Sequence, residues 1–92
     1  MPIFEWNQEK NLRLQINRDV RFEEVVSAFN ENRVLDTIDH TNQKKYPGQR
    51  IFIVKIREYT CAIPFVEKGD VYFLKTIYRS RKAAKRYLKK GK

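Results

Sequence analysis

Cysteine and histidine each occur once in this 92-residue chain, as Cys61 and His40. A lone cysteine forms no intrachain disulfide, and one of each cannot build a cysteine- or histidine-based metal centre. No metal and no cofactor is therefore expected. Three glycines are too few for a glycine-rich phosphate loop. There is no G-x-S-x-G elbow, and no Cys/His couple has supporting context. No apolar run approaches the ~20 residues that cross a bilayer. The opening residues, Met1-Pro2-Ile3-Phe4-Glu5-Trp6, lack a basic stretch followed by an apolar one, so no secretory leader is expected. A cytoplasmic protein with no membrane contact and no small-molecule ligand is the expectation.

What the chain has in excess is positive charge. It carries 20 Lys and Arg against 11 Asp and Glu, a net of +9. Residues 79–92 hold eight of those cations and no acid, leaving 12 cations and all 11 acids in residues 1–78. A nearly neutral body thus ends in a strongly basic element, which attracts phosphates or an acidic partner. Charged residues at 34%, hydrophobic residues at 41% and twelve aromatics support a folded core, and the length fits a single domain spanning 1–92.

The pattern along the chain predicts an α+β fold. Residues 2–5 read as an edge strand. Asn7 caps a helix running to Ile16, with Leu12 and Ile16 as its apolar face. Phe22, Val25, Val26 and Phe29 follow helical spacing, with Glu23 and Glu24 at the favourable end of the helix dipole. A strand over 33–38 and a polar loop over 39–49 come next. Strands over 50–57, 59–66 and 71–78 then form an antiparallel meander. Ser80 caps a last helix over 81–90, whose apolar stripe is Ala83, Ala84, Tyr87 and Leu88. The N-terminal helices and the C-terminal helix are expected on one sheet face.

Candidate binding residues are basic side chains inside or beside the strands. Lys55 interrupts the stripe of Ile51 and Ile53, and Lys75 that of Val71, Phe73 and Ile77. Arg57 and Arg79 share parity with them. Tyr46, Tyr59, Tyr72 and Tyr78 interleave with these cations and suit stacking on unpaired bases as well as ordinary strand packing. Arg79, Arg81 and Lys82 stand at the start of the last helix, where the dipole disfavours cations. A phosphate held there, on the first-turn N–H groups, would offset that cost. Lys85 and Arg86 continue the basic surface. His40, in a polar loop, has the one side chain whose ordinary pKa lies near neutrality.

Motifs at the two ends of the chain also carry a resemblance. Phe4-Glu5-Trp6, Lys10 and Phe22-Glu23-Glu24, followed by Ile77-Tyr78-Arg79-Ser80-Arg81-Lys82-Ala83, resemble the opening and closing motifs of the BrnT family, the toxins of bacterial type II toxin–antitoxin pairs. Asn17-Arg18-Asp19 stands where that family carries Lys-His-Gly, so Arg18 brings charge without a histidine, and the loop around Tyr46-Pro47-Gly48 also differs. The resemblance implies a RelE-like fold and metal-independent RNA cleavage by a ribose 2′-OH. It further implies a cognate antitoxin that is itself a DNA-binding dimer. On that reading Arg79, Arg81 and Lys82 bind and stabilise the scissile phosphate with Lys75 or Lys10 assisting, and Tyr78 or His40 carries the proton. Lys10, Arg18, Arg50, Lys55, Arg57, Lys82, Lys85 and Arg86 hold the RNA. The alternative is an RNA- or DNA-binding module without catalysis, which needs only the basic helix and the tyrosines.

Overall fold

The computed structural model describes residues 2–88. Its elements are β1 (Ile3–Glu5), α1 (Gln8–Arg18), α2 (Phe22–Asn30), β2 (Val34–Asp39), β3 (Gln49–Ile56), β4 (Tyr59–Lys68), β5 (Val71–Leu74) and β6 (Tyr78–Arg79). A C-terminal helix follows, α3 (Arg81–Ala83), which widens into π-helical turns over Ala84–Leu88. Positions 89 and 90 of the expected last helix lie outside the described residues. The α+β class is as expected.

Local chemistry sets the helix boundaries. The Asn7 side chain accepts the Lys10 N–H at 2.9 Å and starts α1. Asp19 ends it in the left-handed region, at φ 56°, with its N–H bonded to Gln15. At the start of α2 the Glu24 carboxylate accepts the Arg21 N–H at 3.0 Å. Asn11, 1% exposed, joins the two helices. Its Oδ1 accepts the Phe22 N–H at 2.8 Å, and its Nδ2 donates to Glu23 at 2.9 Å.

That clamp fixes the rotation of α1 and overturns one expectation. Leu12 and Ile16 are 57% and 81% exposed, while the buried face carries Asn11 and Leu14. The satisfied amide turns inward because it closes the first turn of α2, and the Leu12/Ile16 pair is turned out to solvent as a result.

The sheet order is β1-β5-β4-β3-β2, with β6 also pairing β4. The meander β2–β3–β4–β5 is antiparallel throughout, but β1 runs parallel to β5. The sheet is therefore mixed. The chain leaves β1 through both helices and enters the sheet again at its far edge. Both faces are covered in part, which corrects the expectation of helices on one face. Phe22, Val25, Ala28 and Leu14 pack with Phe52, Val54, Ile56, Cys61, Ile63, Phe65, Leu74 and Ile77. On the opposite face Ala83 and Tyr87 of the C-terminal helix pack with Ile38, Ile51, Ile53 and Ala62.

The expected strand 71–78 is broken in two. Phe65 faces Leu74, whereas Cys61 faces Arg79, so the outer strand carries one residue more than β4 between these pairs. The extra residue lies in Lys75-Thr76-Ile77, a bulge that reverses the side-chain alternation. Val71, Phe73 and Lys75 lie on the face that carries the C-terminal helix, but Ile77 turns into the core and Arg79 follows it to the face covered by α1 and α2. The shared parity of Lys75 and Arg79 in sequence does not survive.

Asn11→Ala should destabilise the protein by about 2 kcal/mol, because it leaves the Phe22 N–H buried without an acceptor. Urea denaturation measures this; a loss below about 0.5 kcal/mol, the range of ordinary surface changes, would show that the clamp is dispensable.

Candidate nucleic-acid interface

The bulge brings Arg79 to the end of α1. There a small notch of about 20 Å³ is lined by Arg18, Val20, Tyr59, Cys61, Ile77, Tyr78 and Arg79. Arg18 is held by a 2.7 Å hydrogen bond from its Nη1 to the carbonyl of Ile77, inside the bulge. The Arg79 guanidinium carbon lies 3.8 Å from the centre of the Tyr59 ring. Among the described residues neither arginine has a carboxylate partner. Two fixed, uncompensated guanidiniums over an apolar floor suit a phosphate.

The positive surface continues along α1. A shallow depression of about 110 Å³, lined by Lys10, Arg13, Leu14, Asn17 and Arg18, adjoins the notch through Arg18. Arg13 was not singled out from the sequence. Its three-residue spacing from Lys10 along a helix was the available signal. On the other side of β6, Arg81, Lys82, Lys85 and Arg86 are all exposed.

The start of the last helix offers less than expected. Ser80 caps it, accepting the Ala83 N–H at 3.1 Å, and the Ala84 N–H goes to the Ser80 carbonyl. A phosphate there would have to displace the cap, and three α-helical residues supply little dipole. The phosphate-binding reading therefore moves to the Arg18–Arg79 notch.

Two expected cations, Arg57 and Arg50, are engaged within the fold instead, and Lys55 and Lys75 lie away from the notch. Arg57 occupies the two-residue β3–β4 turn at φ 54°, an unfavourable backbone region for a non-glycine residue. Its guanidinium bonds the Glu24 carboxylate and the Asp19 carbonyl, tying the turn to the α1–α2 corner. Arg50 lies between Glu67 at 3.3 Å and Asp39 at 3.6 Å. Lys55 lines a separate depression with Arg33, Leu35 and Arg57. Lys75 lines a concavity of about 540 Å³ with Glu5, Val66, Lys68, Val71 and Phe73. That surface is mainly apolar and lies on the other sheet face from the notch.

His40 is also remote. It stacks on Tyr46 at 4.5 Å, and its Nδ1 accepts the Asn42 N–H. Its own N–H bonds Gln49 at the start of β3, whereas Arg79 lies across from Cys61, which pairs with Val54. Five residues of strand separate those levels, roughly 17 Å, before any step across strands. His40 and Arg79 do not meet at one phosphate. Beneath the notch, burial pushes the Cys61 thiol above its ordinary pKa, with the Arg79 charge pulling the other way. The neutral thiol is floor, not nucleophile.

One hydrogen bond fastens the basic helix to the sheet edge: Tyr87 Oη donates to Asp36 Oδ2 at 2.5 Å. That bond holds the Asp36 carboxyl below its ordinary pKa and raises the Tyr87 phenol. Asp36 thus contributes stability that is present above 3.8 and lost as pH falls through its lowered folded value. Tyr87 contributes stability that is present below 10.0 and lost as pH rises through its raised one. Thermal melts of wild type and Tyr87→Phe should differ between those limits and converge beyond both. A constant difference at acid pH would show that the bond does not form. Comparison of the chain with family models, curated proteins and solved structures finds no match.

Proposed function

We propose that this protein binds RNA by its phosphate backbone and, as the BrnT resemblance implies, is an endoribonuclease toxin acting at the Arg18–Arg79 notch. One observation carries the binding reading. Arg18 and Arg79, far apart in sequence, line one notch with Tyr59 and Tyr78, and among the described residues neither forms an ion pair with a carboxylate. The strand of RNA runs from Lys10 and Arg13 across the notch to the exposed cations of the last helix. Its affinity comes from counterion release at the phosphates.

The chemistry compatible with this site is internal transesterification. The 2′-OH loses its proton and forms a bond to the adjacent phosphorus. The bond to the 5′-oxygen breaks, that oxygen takes up a proton, and a cyclic phosphate remains. Arg79 and Arg18 stabilise the charge that grows on the phosphoryl oxygens. Of the proton-carrier candidates, Tyr78 borders the notch from the other side of the β6 rim, opposite Ala62, and His40 is remote. An antitoxin would silence the site by covering these same cations.

A specific observation favours the second reading, a binding module without catalysis. Among the described residues the notch lining contains no carboxylate and no imidazole, the usual general bases. Incubation of the purified protein with RNA in EDTA separates the two. Cleavage to cyclic-phosphate ends supports the nuclease; intact RNA, bound with strong salt dependence, supports the module. Arg79→Ala with Arg81→Ala should abolish cleavage and growth arrest while circular dichroism stays native. Full toxicity in that double variant would sink the nuclease assignment. Arg18→Ala should lower the slope of log affinity against log salt by about 0.7, the contribution of one phosphate contact on a single strand.

A further inference from the structure

We infer that the Tyr59–Arg79 pair is a base-stacking platform and that the ligand of the notch is single-stranded nucleic acid. This rests on the proposal that the notch binds phosphate, and adds the substrate's strandedness and a contact to its bases.

Tyr59 and Tyr78 are 46% and 40% exposed, large rings left in water at one rim of the sheet. The Arg79 guanidinium lies over Tyr59 at 3.8 Å, whereas the other four cation–ring contacts run from 5.4 to 6.0 Å. A guanidinium parked on a ring keeps its plane available to a base and its N–H edge available to a phosphate. The parked geometry also reduces the rotamer freedom lost on binding. The notch, at about 20 Å³, is too small to admit a base, so stacking takes place on the outer surface of the pair.

Topology supplies the path. β6 pairs only with β4, and β1 pairs with β5, so among the described residues no strand covers the outer edge of β6. Tyr78 lies opposite Ala62 and Arg79 opposite Cys61, which puts them on the two sides of that open rim. A single strand crossing the rim meets a tyrosine on one side and the Arg79–Tyr59 stack on the other. A duplex keeps its bases stacked inside and presents only phosphates to such a rim.

The test uses anisotropy of labelled 2′-O-methyl RNA, which lacks the attacking hydroxyl and stays intact. It is compared with an abasic chain of equal phosphate number and with the corresponding duplex. The base-bearing single strand should bind about tenfold more tightly than the abasic chain. Tyr59→Leu should bring the affinities for the base-bearing and abasic chains to within about twofold of each other, whatever it does to their common phosphate binding. Arg79→Lys, which keeps the charge and loses the plane, should likewise shrink the ratio of base-bearing to abasic affinity without touching the ring, so the inference does not depend on one variant's folding. Equal binding of base-bearing and abasic chains, or a preference unaffected by both variants, overturns the stacking platform and leaves phosphate binding standing. Preference for the duplex overturns the single-strand assignment. No binding to any of the three overturns the phosphate reading as well.

Discussion

One strand partner too short for its neighbour organises the functional side of this protein. β4 has ten residues, and β5 covers only its far end, from Phe65 to Lys68. Beyond it, β6 pairs with Cys61 and Ala62 after a bulge at Lys75-Thr76-Ile77. The extra residue directs Ile77 into the core against α1 and α2. It also frees the Ile77 carbonyl to receive Arg18, and it rotates Arg79 onto Tyr59. Without the bulge, regular alternation would set Tyr78 across from Cys61 and send Arg79 to the opposite face, away from Arg18. The notch is a consequence of sheet irregularity, a common device for aiming a side chain.

The helices answer to the same region. Asn11 locks the rotation of α1 by closing the first turn of α2. With that rotation set, the last residue of α1, Arg18, reaches the bulge, and Lys10 and Arg13 fall on the adjoining surface. The cost is the exposure of Leu12 and Ile16. The Arg57 turn reinforces the corner from the other side through Glu24 and the Asp19 carbonyl. Two polar anchors, not apolar packing alone, therefore fix the position of the α1 terminus relative to the sheet.

The elements themselves were legible in the sequence because their signals are local. The Asn7 and Ser80 caps, the helical spacing from Phe22 to Phe29 and the β-branched run of β3 all report on neighbours along the chain. The sites were less legible because they depend on register. Val71, Phe73 and Ile77 read as one stripe, and Lys75 and Arg79 as one parity, until a single inserted residue divides them. The parallel partner of β5 was equally hidden, since nothing local to Ile3–Glu5 marks β5 as its partner. The inward turn of Asn11 was hidden too, because its value lies in an N–H eleven residues away.

Charge distribution, finally, separates into two populations that composition alone merges. Among the described residues Arg33, Arg50 and Arg57 engage Glu31, Asp39, Glu67, Asp19 and Glu24, nearly half of the chain's 11 acids. Glu23 serves Asn11, and Asp36 serves Tyr87. Most acids thus have partners within the fold, and among the described residues none forms an ion pair with Arg18, Arg79, Arg81, Lys82, Lys85 or Arg86. An exposed ion pair is worth little to stability, so this segregation matters chiefly for the field it leaves behind. The uncompensated charge runs from α1 across β6 to the last helix, on a rim that also bears two exposed tyrosines. Solubility alone does not require that charge to gather beside aromatic rings, whereas binding an unpaired polynucleotide requires both together.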